Sequence, residues 1–172
     1  IINLLSSLSG ASQHIGDGGS AYTPPPLPPL DEHGRPPLPP PHRDLPPHSR
    51  LPHGRNPLFT GREAELRALA GQLLYDPART PAVISTGIGG MGKTQLAVEF
   101  AYRYGGYFAG GVQWISLGAV PGDDDATARA AATARAIDDE VAACGLAMGL
   151  WPEGEPPPLA ERVARTRRAW AG

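Results

Sequence analysis

The chain has 172 residues, 41% of them apolar and 19% charged, with a formal net charge of −2. That suffices for one domain with extras and lacks the basic excess of a nucleic-acid or anionic-membrane surface. Cys144 is the lone cysteine, which excludes a disulfide framework and a cysteine zinc site and makes a reducing, cytoplasmic setting the default.

No apolar stretch approaches the ~20 residues needed to span a bilayer, and the Ile1–Leu8 run is short and lacks the basic flank of a secretory signal. Without an initial methionine, and stopping at Gly172 after an amphipathic run, the chain reads as a piece of a longer protein cut at both ends. Residues 1–23 read as the tail of an unassigned upstream region, with Ile1, Leu4, Leu5 and Leu8 at helical spacing.

Fourteen of the 21 prolines fall between Pro24 and Pro57, and all five histidines lie at or before His53. Proline blocks helix interiors and sheet ladders, so residues 24–57 are expected to be a disordered or polyproline II linker. Its reach is at most ~100 Å at ~3.1 Å per residue. Pro36-x-x-Pro39 offers a motif for an SH3-like groove, but a plain spacer is the preferred reading. Metal binding by the histidines is set aside. The recurrence of His33-Gly34-Arg35 as His53-Gly54-Arg55 reads as low-complexity drift.

Ordered periodicity begins after Pro57, and residues 58–172 read as a globular part. Thr60-Gly61-Arg62-Glu63 has the form of a capping box. Leu66, Leu69, Ala70, Leu73 and Leu74 then form the stripe of an amphipathic helix of about four turns, ended by Asp76-Pro77. Pro81 to Thr86 is a short β-branched run that predicts a strand leading into a glycine-rich loop. After the loop, Leu96, Ala97, Phe100, Ala101 and Tyr104 mark a helix that Gly105-Gly106 stops. Gly111 to Leu117 predicts a second buried strand.

Beyond the Pro121-Gly122 turn, Asp123, Asp124 and Asp125 load the start of a long alanine-rich helix with the charge its dipole favours. Ile137, Val141, Cys144 and Met148 form that helix's core stripe, and Gly145 is expected to weaken it by roughly 1 kcal/mol. Leu159, Val163, Thr166 and Trp170 mark a last helix after the Pro152–Pro158 loop. Helix, strand, helix, strand, helix, helix is an α/β order that predicts a parallel sheet.

The loop carries the chemistry. Gly87-Ile88-Gly89-Gly90-Met91-Gly92-Lys93-Thr94 is a complete G-x-x-x-x-G-K-[ST] phosphate-binding loop, between a predicted strand and a predicted helix. A random chain of this length would contain the pattern in roughly one case in several hundred. Lys93 is the chain's single lysine; the other 14 cationic side chains are arginine. The glycines let successive N–H groups turn inward as a nest, and the helix N-terminus adds its dipole. Lys93 is placed to bridge β- and γ-phosphate oxygens, and Thr94 to offer its hydroxyl to Mg²⁺.

A hydrolase also needs an acidic residue at the end of an apolar strand. Asp123–Asp125 fails because Pro121-Gly122 interrupts the run, and Asp138-Asp139-Glu140 reads as a solvated helix face. The Walker B element is absent, and no catalytic residue is assigned. Three readings stand: a nucleotide-dependent signalling switch, an ordinary P-loop ATPase or kinase, and a non-catalytic scaffold acting through its proline-rich arm.

The residues resemble the STAND class of signalling P-loop NTPases, specifically bacterial NB-ARC domain proteins. Leu58-Phe59-Thr60-Gly61-Arg62-Glu63-Ala64-Glu65-Leu66 is similar to that family's F-x-G-R-E-x-x-L motif. Residues 87–94 match its G-x-G-G-x-G-K-T loop, followed by Gln95-Leu96-Ala97, and Tyr102 to Trp114 resembles its passage into the second strand. The resemblance covers residues 56–120 well and the remainder loosely; residues 121–139 have no clear counterpart. It implies a three-layer α/β/α fold truncated before the Walker B strand, which should start just after Trp170.

The resemblance also implies an ADP/ATP switch with Mg²⁺ that self-associates on activation. Nucleotide contacts are implied for Gly87, Ile88, Gly89, Gly90, Met91, Gly92, Lys93, Thr94 and Gln95, and for Thr60, Gly61 and Arg62 near the adenine. Arg62 is alternatively a plain first-turn helix residue.

Overall fold

The computed structural model describes residues 2–4, 22–76, 92–116 and 126–171, with backbone alone for 2–4 and 171. Described elements run β1 (Ile2–Leu4), α1 (Glu63–Ala70) continuing as a π-helical turn (Gly71–Tyr75), α2 (Lys93–Tyr104) with a 3₁₀ turn (Gly105–Tyr107), β2 (Val112–Trp114), α3 (Ala126–Ala147) and α4 (Leu159–Ala171). The predicted strand at 81–86 and the acidic run Asp123–Asp125 lie outside the described residues. Among the described residues the sheet is two-stranded and antiparallel, β1 beside β2.

Apolar residues on α1, its π-helical turn and α2 meet as one core. Leu66, Ala70 and Leu74 pack against Leu96, Phe100, Tyr104 and Phe108. Phe100 and Tyr104 stack with ring centroids 4.9 Å apart. Each large side chain buried this way contributes about 1.5–3 kcal/mol. A second cluster joins Val141 and Cys144 of α3, Val163 of α4 and Ile115 just after β2.

The predicted helix of about four turns is present, but it starts later than the capping box places it. Gly61 takes a left-handed φ of 79°. The N-cap is Arg62, with no side-chain cap hydrogen bond. The left-handed turn swings Thr60 away from the first helical N–H groups, so its hydroxyl does not serve them.

Gly145 corrects another expectation. A Cβ there would lie 2.1 Å from Thr166 Oγ1 and 2.3 Å from Trp151 Cη2. The glycine therefore lets α3 approach α4 and Trp151, a packing gain that outweighs its poor helix propensity.

Of the N-terminal run with helical spacing, residues 2–4 are strand, while Ile1, Leu5 and Leu8 lie outside the described residues. β1 pairs antiparallel with β2 in the register Ile2 with Trp114, Asn3 with Gln113 and Leu4 with Val112. Arg50 bridges the other edge of β2: its N–H donates to Val112 O and its carbonyl accepts from Trp114 N–H, both at 2.8 Å. Val112, Gln113 and Trp114 are all buried. A buried strand needs partners for both rows of backbone groups, and that demand overrides local periodicity.

The largest departure is the proline-rich segment. It is neither helix nor strand over most of its length, yet it is no free spacer, because it lies along the helices. Tyr22 Oη donates to Gly106 O at 2.8 Å, Tyr75 Oη to Pro28 O at 2.7 Å and His42 N–H to Tyr102 O at 2.8 Å. Leu27 and Leu38 pack on the first core cluster. Proline bars regular structure but leaves carbonyl acceptors and flat apolar rings, and the helices use both.

Candidate functional site

The loop residues Gly87, Ile88, Gly89, Gly90 and Met91 lie outside the described residues; Gly92 onward is described. Gly92 is the N-cap of α2 in a left-handed conformation, φ 73° and ψ 20°. L side chains avoid this region, at a cost of roughly 1–2 kcal/mol. Its carbonyl accepts from Leu96 N–H at 2.9 Å, the helix's first bond. Lys93 is half-buried, while Thr94 and Gln95 are exposed at the first turn. That turn carries no acidic residue, so the helix's positive end is not cancelled locally.

Thirty residues upstream, Thr60 and Gly61 are exposed and Arg62 is half-buried. Packing of α1 on α2 carries Arg62 to the start of the loop helix. Its Nη1 stands 3.7 Å from where a Cβ on Gly92 would be. Arg62 Nε also donates to Glu65 Oε1 at 3.0 Å. The Glu65 carboxyl is held below its usual range first by a backbone N–H and then by Arg62. The two segments singled out in the sequence thus meet at one place, the Arg62 guanidinium beside the N-terminus of α2. A guanidinium and a helix N-terminus are both groups that anions favour.

One residue behind the site escaped the sequence reading. Glu99, on α2, has only 1% of its surface exposed. Arg103 Nε donates to its Oε1 at 2.7 Å. Arg55 Nη2 donates to the same oxygen at 3.0 Å, and Arg55 Nε stands 2.9 Å from Oε2, an ion pair whose N–H is not aligned for a hydrogen bond. The spacing of Arg103, four residues on, was the legible half of this triad. Arg55 was not, because it comes from the proline-rich segment.

Glu140, assigned to a solvated face, is instead held by Arg50 Nη1 at 2.9 Å, which also donates to Trp114 O at 2.8 Å. That hydrogen bond holds the Glu140 carboxyl below the usual range, and Ser116 N–H adds to it. Burial pushes the Cys144 thiol up, so it is an inert core group.

Over 65 residues the chain is 40% identical to a "Nucleotide-binding leucine-rich repeat (NLR)-like protein" of Hyaloscypha variabilis. Part of this chain is similar to part of that NLR-like protein. The match covers 37% of this chain and 6% of the relative, so the chain spans only a small part of that protein's length. No family model and no solved structure matches. Among the described residues, no helix is long and apolar enough to cross a membrane.

Proposed function

We propose that this chain is the adenine-nucleotide-binding module of a regulatory switch ATPase of the NB-ARC type, on an α/β phosphate-loop fold. The observation that carries the reading is the meeting of Arg62 with Gly92 at the head of the Lys93 helix. Two motifs that the reading requires at one ligand are adjacent in space. The similarity to an NLR-like protein named for nucleotide binding supports it further.

In this reading the backbone N–H groups of residues 87–92 cradle the phosphates, Lys93 bridges their outer oxygens, and Thr94 offers its hydroxyl to Mg²⁺. The exposed Thr94 and the carboxylate-free first turn of α2 fit that role. Arg62, with Thr60 and Gly61, closes the opposite side. Hydrolysis and self-association belong to the proposal for the longer protein. The alternative of a scaffold acting through a free proline-rich arm is disfavoured, since the carbonyls of that arm are engaged by the chain's own helices.

Calorimetric titration with MgADP and MgATP tests the reading. Saturable binding is expected for the chain and none for Lys93→Ala. Equal affinity in the two proteins would overturn it.

A further inference from the structure

Residues 35–42 form neither helix nor strand; three side chains of α1 and α2 donate hydrogen bonds to prolines within them, and a fourth, on the π-helical turn, donates to Pro28 ahead of the Asp31–Arg35 turn. Arg67 Nη1 donates to Pro36 O. Tyr104 Oη donates to Pro37 O at 2.7 Å, Arg103 Nη1 to Pro39 O at 2.6 Å, and Tyr75 Oη to Pro28 O at 2.7 Å. The chemistry is one-sided by necessity. Proline has no N–H, so a polyproline segment shows a partner only acceptors and ring faces. To Pro28, Pro36, Pro37 and Pro39 the helices answer with donors, from two tyrosines and two arginines, and the segment returns one N–H, from His42 to Tyr102 O.

The spacing agrees. An ideal polyproline II helix repeats every three residues and would place the carbonyls of Pro36 and Pro39 on one side. Those are the two that the arginines of α1 and α2 take, one from each helix. Pro36 is buried, with its Cγ 3.6 Å from where a Cβ on Gly71 would lie, and Gly71 opens the π-helical turn. Leu38 packs on the core between these contacts. Burial pushes the Tyr104 phenol up to about 12, so it stays a donor across the neutral range.

We propose that the α1–α2 face bearing Arg67, Tyr75, Arg103 and Tyr104 is a polyproline-recognition groove, and that the chain fills it with its own residues 28–39. Proline-rich peptides dock into aromatic-lined grooves by this exchange of ring packing and carbonyl hydrogen bonds. Here ligand and groove belong to one chain, so Pro36-x-x-Pro39 is an internal ligand. The groove takes a polyproline II segment by chemical class. It is independent of the nucleotide reading.

The test uses the whole chain and a fluorescent peptide with the sequence of residues 24–41. Pro36→Gly, Pro37→Gly and Pro39→Gly together loosen the internal ligand while leaving the groove intact. The peptide should bind this variant at least about tenfold more tightly than the unaltered chain, whose groove is filled. Adding Tyr75→Phe and Tyr104→Phe should remove that gain. Equal binding to the glycine variant and the unaltered chain, with helical circular dichroism retained, would overturn the proposal.

A second measurement covers a glycine variant that fails to fold. In an otherwise unaltered chain, Tyr75→Phe with Tyr104→Phe keeps the rings and removes two donors. Hydrogen exchange of the His42 N–H, bonded to Tyr102 O, should speed by about tenfold or more. Unchanged exchange there would equally overturn the proposal.

Discussion

Arg55 and Glu99 are ion-paired across the boundary between the proline-rich segment and the Lys93 helix, Nε to Oε2 at 2.9 Å. The guanidinium is partly solvated and the carboxylate is not, with side-chain exposures of 27% and 1%. Arg103 closes the other side. A carboxylate so buried is stable only while both cations stay in place. The pair therefore makes the position of the segment near residue 55 a condition for the position of α2. Seven residues later the same stretch of chain delivers Arg62 to Gly92.

Glu99→Ala should lower the free energy of unfolding by about 3 kcal/mol, because it strands two partly buried guanidinium groups. The comparison is Glu161→Ala, which removes an exposed pair with Arg165 and should cost under about 1 kcal/mol. Urea denaturation midpoints at unchanged slope give both values. Similar losses in the two variants would show that the buried triad has no special role.

At the candidate site, Lys93→Arg keeps the charge but replaces a slender ammonium with a planar fork. MgADP affinity should fall at least about tenfold, equivalent to ~1.4 kcal/mol. Calorimetry beside the Lys93→Ala protein reads it directly. Retained affinity would mean that charge alone, and not shape, is recognised at that position.

Gly145→Ala separates helix propensity from packing by sign. Propensity alone predicts a gain of roughly 1 kcal/mol. A methyl group 2.1 Å from Thr166 Oγ1 and against the Trp151 ring predicts a net loss, of about 2 kcal/mol. A thermal melt decides, and a raised midpoint would contradict the close α3–α4 approach.

The Arg50–Glu140 contact sets an acid limb. The folded Glu140 carboxyl is held below its ordinary value of 4.5 by the Arg50 hydrogen bond. A depressed folded value means that the folded state binds this proton less readily than the unfolded state. The stabilisation is therefore fully present above the unfolded value and is lost as pH falls through the lower, folded one. Stability measured between neutral pH and pH 3 should slope less steeply in Glu140→Gln than in the unaltered chain. Identical slopes would show that the contact does not titrate with folding.

Much of the helical scaffold was legible because it is written locally. Leu66, Leu74, Leu96, Phe100, Val141, Cys144 and Val163 recur at the spacing of a helix face and are buried. The phosphate-loop pattern was legible for the same reason, since its chemistry depends on glycines, lysine and threonine at fixed short spacing. Of that pattern, Gly92 is described as a left-handed residue at the head of α2. The capping box was misread because Gly61, two residues before the helix, turns the chain out of register with Thr60.

What the sequence determined by itself was therefore the short-range grammar: which faces are apolar, and the G-x-x-x-x-G-K-[ST] pattern of residues 87–94 on which the proposed nucleotide site rests. Tertiary structure alone decided that residues 28–39 are held against α1 and α2, that Ile2–Leu4 is a strand, that Glu99 is buried between two arginines and that Gly145 is a contact. Each of these depends on a partner many residues away, as Tyr104 depends on Pro37 and Arg50 on Glu140. No local period encodes such a partner; only the demand that buried donors, acceptors and charges be satisfied selects it.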